Sequence, residues 1–399
     1  MTINNEHKKL NVPNLRFKEF EGEWEKCKLS EICTFFSGGT PSSSNKDFYG
    51  GNIAFIRSGE LHADSTELFI TQAGFDSSSA KMVEIGDLLL AMYGATSGDI
   101  AVSKIKGAIN QAILCIRTKQ NKKFIESVWN KHVSKNLRKY LQGGQGNLSA
   151  DIVKGISFFF PTLKEQEKIA NLVSLLDERI ATQNKIIDKL QSLIRGINDS
   201  LYTQHGGEVL TSFANLGTSY SGLSGKSAQD FGSGKPFITY LNVYSNNVIN
   251  ENDFQYVAIK DGEKQNVVEY GDILFTLSSE TPEEVGIGSV YLGKEKVYLN
   301  SFCFGIHITN TEVAFPPYLS YYVSLTAFRK FIYPYAQGST RFNLCKADFE
   351  KASIKLPTLE NQKRIYSVLE HIDCKIETER QMLNLYNSQK QYMLRQMFI

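Results

Sequence analysis

Two stretches of the chain carry the same long hydrophobic repeat, one in the middle and one at the C-terminus. In Leu163–Leu201 and again in Leu359–Met397, mostly apolar residues recur at alternating spacings of four and three. This heptad spacing is typical of helices that pack along one seam, and it predicts a coiled coil formed within the chain. The seam positions are Ile169, Val173, Leu176, Ile180, Gln183, Ile187, Leu190, Ile194, Ile197 and Leu201 in the first stretch, and Ile365, Leu369, Ile372, Ile376, Glu379, Leu383, Tyr386, Lys390, Met393 and Met397 in the second.

Each predicted seam meets its first polar residue at the equivalent place, Gln183 in one helix and Glu379 in the other. A buried polar residue at a seam position can fix the register of two helices at some cost in stability. The alternative is that both side chains face solvent at an imperfect seam, and the sequence leaves both interpretations open.

Short apolar segments separated by turn residues predict a β-rich globular domain before the first long helix. The predicted elements are strands at Asn52–Arg57, Ile100–Val102, Ala112–Ile116 and Ser157–Phe160, a strand, Gly-Asp turn and buried strand at Lys81–Tyr93, and a helix at Phe124–Leu141.

The same order of elements then repeats, most clearly as VEIGDLLL in Val83–Leu90 and VEYGDILF in Val268–Phe275. Further matches pair Pro236–Leu241 with Ile53–Arg57, Asn300 with Asn110, Tyr318–Phe331 with Phe124–Leu141, and Ala347–Lys351 with Ala150–Lys154. The chain is therefore a tandem duplication, whose spacing is too long for a solenoid repeat. The predicted bounds are 1–155 for the first domain with its N-terminal arm, 160–203 for the first long helix, 206–356 for the second domain and 358–399 for the second long helix.

The predicted helices determine the expected architecture. A helix of about 39 residues spans roughly 58 Å. If the second helix packs antiparallel against the first, it returns the chain towards the first domain. We therefore expect an α+β protein in which two globular ends are held apart by an antiparallel coiled coil with pseudo-two-fold symmetry.

Composition excludes several classes of protein. The chain of 399 residues is 42% hydrophobic and has a formal charge of +2, which is ordinary for a soluble globular protein. Its six cysteines show no CxxC or Cys/His ligand spacing, so we predict neither a disulfide framework nor a metal site. The polar N-terminus and the absence of a long apolar run predict a cytoplasmic protein.

Local charge is more informative than net charge. Residues 101–140 contain ten Lys or Arg against one acidic residue, Glu126. Such a block could neutralise the phosphates of a nucleic acid, although a solvated helix face would have the same composition.

Two stretches resemble catalytic motifs, but each lacks a residue that the motif requires. Gly225-Lys226-Ser227 resembles the end of a phosphate-binding loop, but the required first glycine is replaced by Tyr220. Phe315-Pro316-Pro317-Tyr318 resembles an amino-methyltransferase motif, but Phe315 cannot hydrogen-bond an amino group, and a Pro-Pro helix start explains it better. We therefore predict no catalytic residues in this chain.

Four stretches closely resemble the specificity (S) subunit of type I restriction–modification systems, and the likeness covers essentially the whole chain. They are Pro13–Ile32, the SGGTPS loop at Ser37–Ser42, and the helix openings within Phe160–Ile180 and Leu356–Ile376. One departure from the usual pattern is Asn361, which stands where the first copy has Glu165.

The resemblance implies that each globular copy is a target recognition domain that reads one half of a split sequence in double-stranded DNA. It also implies that the helices set the spacer between the halves and dock two methyltransferase subunits, which restriction subunits join. S-adenosylmethionine, ATP and Mg²⁺ would belong to those partners, and the product in each half-site would be N6-methyladenine. This chain would then be non-catalytic.

Positions that are equal in the two copies are expected to be scaffold, so base-reading residues are sought where the copies differ. Arginine suits guanine, and asparagine or glutamine suits adenine. For each candidate the alternative is ordinary surface polarity. The DNA-binding candidates are Arg57, Tyr93, Lys104, Lys106, Gln142 and Gln145 in the first domain, and Lys226, Lys235, Tyr240, Asn242, Gln337 and Arg341 in the second.

Two other classes of protein compete with this interpretation. A stand-alone DNA methyltransferase or nuclease with similar recognition domains would need a cofactor-binding glycine motif and a polar-Pro-Pro-aromatic motif, which the sequence lacks. A coiled-coil scaffold without a DNA role would leave the duplicated domains and the basic block unexplained.

Overall fold

The structure, a computed structural model, describes residues 11–132 and 147–399. The chain forms two compact units, the first made of Met1–Asn184 with Gln381–Ile399 and the second of Lys185–Arg380. Each unit therefore combines one globular domain with a segment of each long helix.

The first unit contains ten short strands and four short helices in its described part, followed by the start of a long helix. The strands are β1 Glu25–Lys28, β2 Cys33–Ser37, β3 Tyr49–Ile56, β4 Phe69–Ile70, β5 Lys81–Val83, β6 Leu88–Ala91, β7 Ile100–Val102, β8 Gly107–Ile109, β9 Ile113–Thr118 and β10 Ser157–Phe160. The helices are α1 Leu29–Ile32, α2 Gln72–Asp76, α3 Lys122–His132, α4 Ala150–Gly155 and the long α5 Leu163–His205.

The second unit repeats this series. Its strands are β11 Val209–Thr211, β12 Gly217–Ser221, β13 Phe231–Ile238, β14 Gln255–Val257, β15 Ile273–Thr276, β16 Ser278–Ser279, β17 Gly288–Val290, β18 Tyr298–Leu299, β19 Cys303–Ile308, β20 Ala336–Gln337, β21 Phe342–Leu344 and β22 Ile354–Leu356. Its helices are α6 Phe213–Leu216, α7 Tyr240–Ser245, α8 Pro316–Tyr322, α9 Thr326–Ile332, α10 Lys346–Lys351 and the first part of the long α11 Leu359–Met397.

Sheet topology shows that the two domains are copies. The main antiparallel sheet has the order β2-β9-β6-β7 in the first unit and β12-β19-β15-β17 in the second. The strands β3 and β8 pair in parallel, as β13 and β18 do, and β1 with β10 matches β11 with β22. The second unit also has a three-stranded sheet of order β16-β21-β20.

The repeated VExGD motif forms the same tight turn before a buried strand in both units. The Asp87 carboxylate accepts the N–H of Glu84 at 3.0 Å, and Asp272 accepts that of Glu269 at 2.9 Å. The glycine between them has a positive φ in each turn, which suits a residue without Cβ. The strands that follow, β6 and β15, are fully buried because their apolar residues cover both faces.

Each long helix packs against the other within each unit. In the first unit, Val173 shares the core with Leu394 and Met397. Further along α5, Asp177 pairs with Lys390 at 2.5 Å. Positions that rise along α5 meet positions that fall along α11, so the segments are antiparallel.

In the second unit, the later part of α5 packs on the same core as the start of α11, through Ile194, Ile197 and Leu201 and through Ile365 and Leu369. The predicted α+β class and the pairing of two long helices are confirmed. The helices begin and end within three residues of the predicted bounds, at Leu163–His205 and Leu359–Met397.

Burial along the helices follows the predicted seam. Ile169, Val173, Leu176, Ile187, Ile365, Leu369 and Ile376 are buried, and Ile180, Leu190, Ile372 and Leu383 are partly buried. Gln183 and Glu379 are only 5% and 6% exposed. Of the two interpretations of these polar residues, the structure therefore favours burial over a solvent-facing seam.

Two predicted elements have different shapes in the structure. The strand predicted through Leu241 ends at Ile238, because the Thr239 hydroxyl accepts the Asn242 N–H at 3.2 Å and starts α7. The helix predicted over Tyr318–Phe331 is divided into α8 and α9. The Asp199 carboxylate of α5 accepts the Thr326 N–H at 3.0 Å, which caps a new helix start.

Two details of the sequence analysis hold in the structure. Helix α8 begins at Pro316, so the Pro-Pro sequence is a helix start. Asn110 and Asn300 each accept the backbone N–H two residues on, at 3.1 and 2.9 Å. The parallel strands β8 and β18 were not predicted, because segments of three and two residues are too short to show a period.

Candidate nucleic-acid interface

The three-stranded sheet of the second unit ends in an exposed polar hairpin, made of β20, the tip 338–341 and β21. Along β21 the side chains alternate. Phe342 and Leu344 pack on the core of the unit, whereas Arg341 and Asn343 are exposed. The apolar residues thus anchor the hairpin while its polar residues face solvent.

Strand register brings polar residues together across this sheet. Asn343 lies opposite Gln337 on one side and Ser278 on the other. Residues directly opposite each other in antiparallel strands share a face of the sheet. Gln337 and Asn343 therefore present two exposed amides side by side.

Tyr240 lies beside the same sheet, at the start of α7. Its hydroxyl donates to the Ser278 carbonyl at 2.8 Å, and its ring stacks on Tyr244 with centroids 6.0 Å apart. Burial is the main cause that raises the pKa of Tyr240, and the nearby positive charge of Arg341 opposes it. The structure thus brings three predicted residues, Tyr240, Gln337 and Arg341, around one small sheet.

Lys226 is placed differently. Its side chain is only 6% exposed, and Nζ lies 2.6 Å from the Glu263 carboxylate. It also donates to the Ala258 carbonyl at 2.6 Å. The hydrogen bond from Lys226 is the main cause that lowers the pKa of Glu263 to about 2. Lys226 is therefore engaged in contacts inside the second unit.

Asn242 is also a structural residue, since it is 2% exposed. Its amide donates to the Asn250 carbonyl at 2.9 Å and accepts the Asn250 N–H at 3.0 Å. It therefore holds the loop after α7 rather than facing a ligand. Lys235, in contrast, is exposed on β13 and forms no ion pair with another described residue.

The four described candidates of the first unit are exposed, and three of them are paired. Arg57 lies 2.9 Å from Glu60, Lys104 lies 2.7 Å from Asp64, and Lys106 lies 3.1 Å from Glu84. Exposed ion pairs of this kind are weak and can exchange for phosphate contacts.

Tyr93 is 44% exposed and lies two residues after the end of β6. Gln142 and Gln145, the other two candidates of the first unit, lie outside the described residues.

The basic block at 101–140 is less available than its composition suggests. Arg117 and Lys122 both lie near Asp87, at 2.7 and 3.5 Å. Lys123 pairs with Glu126 and with Asp177, each at 2.8 Å. Lys135, Arg138 and Lys139 lie outside the described residues. Much of the described part of this block is therefore scaffold rather than a free phosphate-binding surface.

Sequence reasoning missed Asn343, although a signal for it exists. The sequence Asn147-Leu148 in the first copy matches Asn343-Leu344 in the second. The Leu148 N–H donates to the Met92 carbonyl at 2.9 Å, as the Leu344 N–H donates to Leu277 at 2.8 Å. The match therefore marks the same backbone contact in both units.

Among residues 11–132 and 147–399, no group of three or more His, Cys, Asp or Glu side chains is placed to hold a metal ion. No helix in this part of the chain has the length and apolar character needed to cross a bilayer.

A scaffold present twice, with different polar residues exposed on each copy and a long helix after each, defines a two-domain recognition protein. The family model described as the type I restriction modification DNA specificity domain matches residues 21–192 and 223–385. The chain belongs to this family. It is a DNA specificity subunit with two recognition domains, and the family is non-catalytic.

Known proteins agree with this assignment. The chain is 26% identical to a putative type I restriction enzyme MjaX specificity subunit of Methanocaldococcus jannaschii, over 94% of this chain and 92% of that one. It is 29% identical to the EcoR124I/EcoR124II specificity subunit of Escherichia coli, over 44% of this chain and 45% of the other.

Solved structures share the fold. The S subunit from M. genitalium aligns with a TM-score of 0.57 at 13% identity, over 97% of this chain and 99% of that one. A structure from a study of complex assembly and conformational transition in the type I restriction–modification system aligns with a TM-score of 0.58 at 16% identity, over 93% and 96% of the two chains.

Proposed function

We propose that each unit reads one half of a bipartite DNA target. The observation that carries this proposal is the repeated scaffold. Both units have the same four-stranded sheet and the same aspartate turn, but their exposed polar residues differ. Two similar frames with different exposed donors and acceptors suit two different half-sites, since base edges are read by such groups.

The long helices set the distance between the two half-sites and dock the catalytic partners. Exposed apolar residues on both helices support a docking role, because a partner that covers them would remove apolar surface from water. Leu175 and Leu193 on α5 are 60% and 49% exposed, and Leu385 on α11 is 68% exposed.

The partners supply the chemistry. Two methyltransferase subunits bind S-adenosylmethionine and form N6-methyladenine in each half-site, and restriction subunits use ATP and Mg²⁺. The absence of a recognisable cofactor motif in the sequence supports this division of labour. Because the target base is flipped out of the duplex for methylation, the specificity subunit needs only to hold and position the DNA.

Domain exchange tests the bipartite proposal. The chain is co-expressed with its genomic neighbour methyltransferase, and methylated motifs are mapped by modification-sensitive sequencing. Exchange of residues 15–155 for those of a related subunit should change one half of the motif and leave the other half and the spacer intact. A motif that changes in both halves, or in neither, would contradict the proposal.

Shortening of the helices tests whether they set the distance between the two half-sites. Deletion of seven residues from both α5 and α11 preserves the heptad phase. This deletion should alter the spacer or abolish assembly, whereas an unchanged spacer with full activity would argue against it. As a separate control, the purified chain alone is assayed for methylation of DNA. Methylation in this assay would overturn its non-catalytic role.

A further inference from the structure

The hairpin of β20 and β21 has the dimensions of an element that enters a groove of DNA. Every residue of its tip, 338–341, is exposed, and β20 has β21 as its partner strand. Neighbouring strands lie about 4.8 Å apart. The major groove of B-DNA is about 12 Å wide and admits a two-stranded ribbon. Because β16 also pairs with Phe342 and Asn343, the tip 338–341 is the part of the hairpin that fits this groove as a two-stranded element.

The exposed face of the hairpin carries groups that match base edges. Arg341 forms no ion pair with another described residue, so its guanidinium is available. Arginine binds guanine through two hydrogen bonds, and the amides of Gln337 and Asn343 can bind adenine in the same way.

Phosphate contact alone would not require this mixture of groups. A phosphate-binding surface collects cations, whereas this face has one cation, two amides and the hydroxyls of Ser339 and Thr340. The exposed carboxylate of Glu280, directly after β16, would also repel a phosphate. The composition therefore favours readout of bases.

The hairpin is held firmly enough to place these groups. Leu344 is buried, and its N–H donates to the Leu277 carbonyl at 2.8 Å. Gly338 has a φ of +138°, and a Cβ there would lie 2.1 Å from the Arg341 carbonyl oxygen. The tip therefore closes tightly around the backbone of Arg341, which fixes the place from which this side chain extends.

The first unit places a different residue at the matching position. Gln145, outside the described residues, precedes Asn147 by the same two positions as Arg341 precedes Asn343. The two copies therefore differ in sequence at the position of Arg341, as two copies that read different half-sites would.

We propose that the hairpin Ala336–Leu344 is the base-reading element of the second recognition domain. It enters the major groove, where Arg341 binds a guanine and Gln337 and Asn343 bind adenine in the half-site. The proposal rests on the proposed function, in which this unit reads one half of the target.

The test uses the complete complex with its methyltransferase subunits, and it compares Arg341→Ala, Arg341→Gln and Arg341→Lys. Methylated motifs are mapped, and binding to duplexes that vary one base at a time is measured at two salt concentrations. Arg341→Ala should remove the preference for guanine at one position of one half-site, which amounts to a loss of about 5- to 150-fold in discrimination.

Arg341→Gln should move the preference at that position from guanine to adenine, and Arg341→Lys should retain part of the guanine preference. Gln337→Ala and Asn343→Ala should relax adenine positions in the same half-site. Lys294→Ala is the matched control, because this exposed lysine lies in a turn away from the hairpin sequence, and it should leave every base preference unchanged.

Two outcomes would overturn the proposal. Uniform weakening on all sequences by Arg341→Ala, with a lower salt dependence, would make Arg341 a phosphate contact. An unchanged motif in all hairpin variants would place base readout elsewhere in the domain. Both differ from failure of the bipartite function, in which the unaltered complex would show no split motif or exchange of the first domain would leave it unchanged.

Discussion

The two units hold the same buried aspartate with different groups. Asp87 and Asp272 lie at equivalent places in the main sheet, and each accepts the backbone N–H three residues before it. In the first unit Arg117 donates twice to Asp87, at 3.1 and 2.7 Å, and lies 4.9 Å from the Phe36 ring.

In the second unit, tyrosine and histidine replace that pair. The Tyr220 hydroxyl donates to Asp272 at 2.6 Å, and His307 Nδ1 lies 2.9 Å from the other carboxylate oxygen. The two rings stack with centroids 4.3 Å apart. The Tyr220 ring lies over Gly305 on the neighbouring strand, and it has room there because a Cβ at Gly305 would lie 2.2 Å from the ring. The first unit has Cys115 at the position of Gly305.

This difference separates two roles of the aspartate, its bond to the backbone of its own turn and its contacts with side chains. The bond from the aspartate to its own turn is kept because it shapes the backbone, whereas the side chains above it have changed together. A recognition domain can therefore alter the surroundings of its sheet while the frame stays fixed. Equivalent substitutions that have equal effects in the two units identify the shared frame. Equivalent substitutions that have unequal effects identify what has diverged.

The largest expected effect concerns the shared frame. Gly38 and Gly222 follow β2 and β12, and a Cβ would lie 1.8 Å from the Ile109 carbonyl oxygen at one and 2.1 Å from that of Asn300 at the other. Since backbone must move in both cases, Gly38→Ala and Gly222→Ala should each destabilise their own unit by about 3 kcal/mol or more. Hydrogen exchange of β6 and β15, followed by mass spectrometry, measures the loss.

The matched control for these glycines is Gly59→Ala, because a Cβ at Gly59 has no neighbour within 4 Å. It should change exchange little. If Gly38→Ala exchanged like the control, the close approach would not constrain the fold. If it weakened β15 as strongly as β6, the two units would not respond independently.

A smaller and unequal effect is expected at the two helix starts. Glu165 is 1% exposed and accepts two hydrogen bonds from Arg16, both at 2.8 Å. Its counterpart Asn361 donates to the exposed Glu208 at 3.1 Å. Glu165→Ala should therefore cost about 2–4 kcal/mol, and Asn361→Ala under about 0.5 kcal/mol. Protection of the arm 13–24 from hydrogen exchange reports the first loss, and equal effects would contradict the comparison.

The repeat at Gln166 and Gln362 shows what sequence can predict. Both side chains donate to the proline carbonyl five residues before them at 2.9 Å, and both accept a backbone N–H of the globular domain. The matched helix openings signalled this shared role, since identical residues in identical spacing make identical local contacts. The seam and the aspartate turn were predictable for the same reason.

Long-range partners were not predictable. Lys226 looked available because its partner Glu263 comes 37 residues later, and no local pattern joins them. The sequence predicts a strand through Leu241, whereas in the structure Thr239 starts a helix that buries Asn242. Periodicity describes which face a residue occupies, but the group that meets it from another element depends on tertiary packing.

Two asparagine variants isolate the diverged aspartate sites. Asp87→Asn removes the charge that Arg117 and Lys122 face, so it should cost the first unit about 1–2 kcal/mol. Asp272→Asn keeps an acceptor for the buried Tyr220 hydroxyl and removes a carboxylate that burial disfavours, so its cost should stay under about 0.5 kcal/mol. Exchange in β6 and β15 compares them, and a larger loss for Asp272→Asn would reverse the interpretation.

The smallest effect is an opposite response of the two units to pH. Burial disfavours the charge of Asp87, but the hydrogen bonds from Arg117 and from the Glu84 N–H outweigh it and lower its pKa. Its contribution is therefore present above the unfolded pKa of about 3.9 and is lost as pH falls through the lower folded value. Burial raises the pKa of Asp272. Its contribution is present below about 3.9 and is lost as pH rises through the higher folded value.

The two asparagine variants reveal these opposite signs when each is compared with the unaltered chain between about pH 3 and pH 7. The deficit of Asp87→Asn should shrink as the solution is acidified, because the native carboxylate then loses its own advantage. Asp272→Asn should come closest to the stability of the native chain at neutral pH, where the native chain must keep a buried carboxylate ionised, and its deficit should grow on acidification. Exchange rates corrected for their intrinsic pH dependence provide the measurement, and a deficit that shrinks on acidification for both variants would show that tyrosine and histidine hold the charge as well as arginine does.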